Sequence, residues 1–268
     1  MRVIAFCLLV FLAVPANALE LEGQVTQGGL IFGKTEPGAS VMLDGRTLQV
    51  SLAGDFVFGF GRDAPPNARL RIQRADGTLE NRELKVAPRK YRIQRIDGLP
   101  KRMVTPPAKV LARIKRENAS IAAVRNKDSA AVYFRGTWLR PAPGKVTGVY
   151  GSQRVLNGKP RRPHYGIDFA APAGTPVVAP AGGTVVLAHR DMYYTGGTLI
   201  LDHGHGLTSA FLHLSALAVK QGDVVERGQR IGAVGATGRA TGAHLDWRIN
   251  WFDRRLDPAF LLSKKDRK

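Results

Sequence analysis

The chain of 268 residues offers almost no thiol chemistry, because its one cysteine, Cys7, lies within the first eighteen residues. From Leu19 onward neither a disulfide nor a thiolate metal site can form. Acidic side chains are scarce as well: 21 Asp and Glu face 40 Lys and Arg, a formal charge of +19. A persistent partner should therefore be polyanionic, either nucleic acid, anionic lipid or an acidic wall polymer. Aromatic residues make up only 7%, and in the most basic stretch, 85–116, Tyr91 is the only one. That stretch lacks the stacking platforms of single-strand nucleic-acid binders. The longest apolar run, Val3 to Val14, stops at twelve residues, short of the roughly 20 that cross a bilayer, so no transmembrane segment is expected. Histidine is absent before position 164.

What is present begins with Arg2, that apolar run, Pro15 and the small-residue site Ala16-Asn17-Ala18, the pattern of a secretory signal peptide cleaved near Ala18. The expected location is periplasmic or secreted, which sets chromosomal DNA aside. A hydrophobic fraction of 44% with 30 Gly and 16 Pro is ordinary globular composition. Between Leu19 and Val86 short apolar alternations flank Asp44-Gly45 and Asp76-Gly77, and Asp55 to Phe58 follows Gly54. Asp-Gly supports tight hairpins, so three hairpins and a small β-sandwich are predicted for residues 19–95. Residues 85–116 then carry eleven Lys or Arg against the single acid Asp97. Val110, Leu111, Ile114, Ile121 and Val124 lie at helical spacing, predicting one amphipathic helix that ends near Asn126 within a basic linker, 96–140. From 141 to 262 short β-rich runs punctuated by Gly and Pro predict a second β domain, followed by a basic tail at 263–268. The fold class expected is mainly β.

All six histidines, at 164, 189, 203, 205, 213 and 244, fall in this second region. His189, His203 and His205 sit among turn residues, where most histidines are structural. His164-Tyr-Gly-Ile-Asp168 places an imidazole and a carboxylate on a loop entering a strand. His244-Leu-Asp246-Trp247 alternates, so His244 and Asp246 share one face. Catalytic zinc sites use three side chains and leave the fourth position to water, whose pKa falls toward about 7. His164, Asp168 and one group of the 244–246 pair would make such a set, with another imidazole, such as His213, alongside.

The run from His164 to Val186, with Leu201-Asp-His-Gly204, Phe211-Leu-His-Leu214, Gly228 to Gly238 and Gly242-Ala-His-Leu245, resembles the lysostaphin-like (LytM-type) zinc endopeptidases of bacterial cell walls over about 140–262. That resemblance implies a duplicated-hybrid-motif β-fold, one zinc ion and hydrolysis of peptide bonds in peptidoglycan, in cross-links or stem peptides. It implies His164 and Asp168 as zinc ligands and His213 and His244 as the two histidines that act on the water or the transition state. Where the family motif has a second His as third ligand, this chain has Asp246. An Asp oxygen and an imidazole Nδ1 are both two bonds from Cβ, and zinc accepts carboxylate at about 2.0–2.2 Å, so Asp246 is expected to ligate. Two carboxylates would neutralise the zinc formally and leave the water less acidic, so a hydrolase working at higher pH is expected. Tyr194, with Tyr193, and His203 are the candidate substrate contacts. Two other readings compete. One is a degenerate, non-catalytic factor that binds and activates a cell-wall amidase or another envelope protein. The other is a biotinyl- or lipoyl-type carrier, which the hairpin Gly222 to Gly228 disfavours because it has no lysine to modify.

Overall fold

The computed structural model describes residues 19–96, 108–156 and 158–267; the expected signal peptide and part of the basic segment lie outside them. Strands β1 (Glu20–Gly23), β2 (Leu30–Lys34), β3 (Ser40–Leu43), β4 (Arg46–Leu48), β5 (Asp55–Gly59), β6 (Asn67–Gln73) and β7 (Leu79–Lys85) form two antiparallel sheets, ordered β1-β2-β5 and β4-β3-β6-β7. In β6 the alternation is complete: Ala68, Leu70 and Ile72 point inward while Arg69 and Arg71 face solvent. Asp44 and Gly45 both take positive φ (49° and 84°), as a two-residue hairpin turn requires, and join β3 to β4. β6 and β7 pair around Asp76-Gly77. The third expected hairpin is not formed. Gly54, at φ 85°, backs onto the Thr35 carbonyl with no room for a Cβ, which steers β5 alongside β2 instead of β4.

After β8 (Ile93–Ile96), helix α1 spans Leu111–Arg125. Of its expected apolar stripe, Ile121 and Val124 pack against Val186, Leu187, Met192, Ile200, Ala210 and Leu212, while Leu111 is 51% exposed. Polar ties secure the rest of the helix. Glu117 accepts the Tyr193 amide at 2.9 Å, and Arg113 pairs with Asp191 at 3.0 Å. At its C-terminal end buried Arg125 donates to the Phe252 carbonyl at 2.9 Å.

The remaining strands are β9 (Lys145–Gly148), β10 (Gln153–Leu156), β11 (Lys159–Pro160), β12 (Ile167–Ala170), β13 (Pro176–Val178), β14 (Gly183–Met192), β15 (Gly196–Gly204), β16 (Leu207–Leu214), β17 (Ala216–Leu217), β18 (Val224–Val225), β19 (Arg230–Ala233), β20 (His244–Trp251) and β21 (Arg254–Leu256). Their main sheet runs β18-β14-β15-β16-β20-β12-β9, with β21 added beside β20. Period two divides its faces. Leu199, Leu201, Phe211, Leu245, Trp247 and Ile249 belong to the main core. On the other face Ala210 and Leu212 lie opposite Arg248 and Asp246 in register, so α1 covers the floor next to those polar residues. The molecule is mainly β, as expected. The core is continuous between the N-terminal sheets and the main sheet.

Candidate metal centre

β20 is flanked by β16 and β12, and the register sets Asp246 directly between Leu212 and Asp168. Both carboxylates therefore rise from one face of adjacent strands. His164 reaches them from the preceding loop, which is fixed by two backbone bonds, His164 N to the Ser152 carbonyl and Gly151 N to the His164 carbonyl, both 2.8 Å. Metal-capable atoms of His164, Asp168 and Asp246 lie within 4.8 Å of one another. His164 Nε2 and Asp168 Oδ1 stand 3.2 Å apart, near the roughly 3.3 Å between two ligands of a tetrahedral zinc with bonds of about 2.0–2.1 Å. These two atoms are buried, and apart from each other neither has a hydrogen-bond partner. Such atoms are costly unless something else satisfies them. Two glycines make room for the carboxylates. A Cβ on Gly148 would meet Asp168 Oδ2 at 2.0 Å, and one on Gly166 would meet Asp246 Oδ1 at 2.5 Å. The donor set and its cradle fit a divalent cation.

Electrostatics are strongly coupled here. Burial disfavours the His164 cation, but Asp168 and Asp246 outweigh it and raise the imidazole above its ordinary pKa. Burial likewise opposes ionisation of Asp246, yet Arg248 and His164 hold that carboxyl well below the usual range. Asp246 is 2% exposed. Arg248 grips it as a fork, Nε at 3.0 Å from Oδ1 and 3.1 Å from Oδ2, and Nη2 at 2.5 Å from Oδ2.

His213 and His244 stand together with ring centroids 4.8 Å apart. Strict alternation along β16 would send His213 to the core beside Phe211. A positive φ of 66° at His213 breaks the alternation and turns its ring toward His244. His213 Nδ1 lies 2.8 Å from the Thr237 carbonyl and His244 Nδ1 2.8 Å from the Gly242 carbonyl. Those acceptors assign the Nδ1–H tautomer to each neutral ring and leave Nε2 with its lone pair. Burial pushes the His213 pKa down.

Tyr194 is half-buried beside Thr195, whose carbonyl accepts the His213 amide at 2.8 Å, with the Arg239 guanidinium 4.4 Å from its ring centroid. His203 does not meet its expectation as a substrate contact. It is fully buried, its Nδ1 is 2.6 Å from the Gly182 carbonyl, its Nε2 is 2.7 Å from Ser209 Oγ, and Trp138 packs on its ring. His205 is buried against Phe134, and His189 is exposed on β14 away from the cluster. Arg248, Gly148, Gly166 and Thr237 were not singled out in the sequence. Arg248 carried a signal, since it stands two residues beyond Asp246 on the same alternating strand.

A metal-capable triad beside two imidazoles, on the floor of an antiparallel sheet, is the arrangement of a metallopeptidase. Residues 162–258 match the model of peptidase family M23. The crystal structure of a chain assigned to peptidase M23 from Pseudomonas aeruginosa superposes with a TM-score of 0.69 at 30% identity, covering 89% of this chain and 95% of that one. The chain belongs to peptidase family M23. Peptidoglycan DD-endopeptidase ShyA of Vibrio cholerae is 47% identical over 87 residues, 32% of this chain and 20% of that protein. A lipoprotein NlpD/LppB homolog of Pseudomonas aeruginosa is 34% identical over 130 residues, 48% of this chain and 41% of that protein. The match thus spans about a fifth of ShyA and two fifths of the NlpD/LppB homolog.

Proposed function

We propose that the chain is an exported zinc metalloendopeptidase that hydrolyses peptide bonds of peptidoglycan. The observation that carries this reading is the buried pair His164 Nε2 and Asp168 Oδ1, 3.2 Å apart beside Asp246 and without another hydrogen-bond partner. Those three residues would hold the ion. A bound zinc supplies Lewis acidity and makes a water nucleophilic near neutral pH. His213, neutral near pH 7 because it is buried, presents Nε2 as acceptor for the proton of the attacking water. As the water oxygen bonds to the carbonyl carbon, that proton passes to the imidazole and then to the departing amide nitrogen as the C–N bond breaks. His244, beside it, keeps Nδ1–H on the Gly242 carbonyl, so only its doubly protonated form, with a second N–H at Nε2, would donate to the developing oxyanion, where a donor is worth a few kcal/mol. Tyr194 and Arg239 form the rim over which the stem peptide lies. The substrate class is supported by the similarity to ShyA and by the net charge of +19, which suits an anionic wall. The apolar leader supports a periplasmic or secreted location.

Metal analysis of the purified protein, followed by muropeptide digestion, tests this reading. One zinc per chain and cleaved stem peptides are expected from the parent, with both lost in Asp246→Ala. The Asp246 departure and the NlpD/LppB similarity favour a second reading, a non-catalytic factor that activates an amidase. Absence of zinc and of cleavage across a wide pH range, together with stimulation of an amidase, would establish it.

A further inference from the structure

The fork of Arg248 on Asp246 admits two roles. The guanidinium either occupies the place of a metal or prepares Asp246 to receive one. A guanidinium standing in for the ion would donate to all three donors around it. Arg248 instead directs its hydrogen bonds to Asp246 and leaves His164 Nε2 and Asp168 Oδ1 without one. It also loads the two oxygens unequally: Oδ2 accepts two of the three contacts and Oδ1 one. A carboxylate has about four acceptor positions, so Oδ1 keeps the greater spare capacity. Oδ1 is also the oxygen nearest Gly166, on the loop that carries His164. The same glycine gives Arg248 its place, since a Cβ there would meet the Arg248 Cγ at 2.8 Å.

We infer that Arg248 is a positioning residue that makes Asp246 a metal donor, the Asp246–Arg248 pair serving as the net-neutral counterpart of an imidazole. The charge count supports this. One imidazole, two carboxylates and a divalent cation sum to zero, and the permanently charged guanidinium restores the +1 of a site with two imidazoles and one carboxylate. The higher working pH expected from the sequence counted Asp246 without Arg248, and the fork removes its basis. Arg248, its side chain 24% exposed, is itself desolvated, and the almost fully enclosed Asp246 carboxylate that it satisfies offsets that cost.

This inference rests on the zinc reading above and is tested by zinc affinity, measured by competition with a chromophoric chelator on the full chain. Hydrogen-bonding partners of metal ligands typically contribute 10–100-fold in affinity. Arg248→Gln should weaken zinc binding by about that factor, and Arg248→Lys, which keeps the charge but not the fork, by less. In an Asp246→His background the same Arg248→Gln change should not weaken binding, because a neutral imidazole needs no countercharge. Equal or tighter binding by Arg248→Gln in the Asp246 protein would show a competitor for the carboxylate and overturn the inference. An equal loss in both backgrounds would show a merely structural role and also overturn it. If Arg248→Gln does not fold, as judged by the thermal midpoint of the metal-free protein, Arg248→Lys and the double variant still carry the comparison. A parent that binds no zinc ends the metallopeptidase reading itself, whereas a zinc-binding parent with an indifferent Arg248 ends only this inference.

Discussion

His203 and His213 lie ten residues apart in a His-rich region, yet their surroundings give them opposite duties. His213 keeps Nε2 unbonded beside His244, while both nitrogens of His203 are taken and its ring is sealed beneath Trp138. Burial pushes the His203 pKa down to about 4 from an ordinary 6.5. Between those values the unfolded chain binds the proton and the folded one does not, so this residue's contribution to stability is full above about pH 6.5 and is lost as pH falls toward 4. The shift corresponds to about 3 kcal/mol. Urea unfolding of the parent and of His203→Gln at several pH values should show the parent losing roughly that much more between pH 7 and 4. Parallel pH profiles would mean that His203 is protonated or solvated in the fold. The sequence revealed that these histidines were worth separating, but not which was which. Asp-His-Gly-His-Gly reads as a turn, whereas His203 lies within a strand whose residues are buried on both faces.

At the scale of elements, α1 shows how weak periodicity overstates a buried stripe. Five apolar residues share its helical spacing, but none is fully buried: Ile121 and Val124 pack on the main sheet, and Leu111 projects into solvent. Ile121→Ala should therefore cost about 1–2 kcal/mol, below the 2–5 of a fully buried site, and Leu111→Ala less than about 0.5. Denaturant midpoints at constant slope measure both; similar losses would mean that the helix packs along its whole length. The strands were more legible than the helix. The alternating His244 to Trp247 opens β20, and Asp168 stands one residue into β12, because period two and flanking turn residues are local properties. The positive φ of His213 was not legible, since it depends on the Thr195 and Thr237 carbonyls from distant loops. Neither was the pairing of β5 with β2, which a close backbone contact at Gly54 decides.

Across the whole molecule, the N-terminal sheets and the main sheet are joined by contacts that are both apolar and ionic. Gly59 lies beneath Leu256 with no space for a Cβ, Arg254 donates to the Gly59 carbonyl at 3.0 Å, and Arg135 pairs with Asp55 at 2.6 Å. Arg46 from the β3–β4 hairpin stacks on Phe252 at 3.7 Å from its centroid, the same residue whose carbonyl receives Arg125 from α1. Elements from three parts of the chain thus converge on the turn after β20, the strand that carries His244, Asp246 and Arg248. Such coupling predicts that the parts unfold together, and the tryptophans allow a direct check. Trp138, Trp247 and Trp251 are the chain's three tryptophans, and none belongs to the N-terminal sheets, although Trp251 meets Arg46 of their β3–β4 hairpin at 5.3 Å, so their fluorescence reports chiefly on the C-terminal part. Phe56 lies far from them in sequence, fully buried in the N-terminal core against Gly33. Phe56→Ala should destabilise by about 3–5 kcal/mol. In one cooperative unit that loss moves the tryptophan transition to lower denaturant with its slope unchanged, in step with far-ultraviolet circular dichroism. A tryptophan midpoint that stays in place while the circular dichroism splits would separate the two parts thermodynamically, and the site strand would then owe its stability to the main sheet alone.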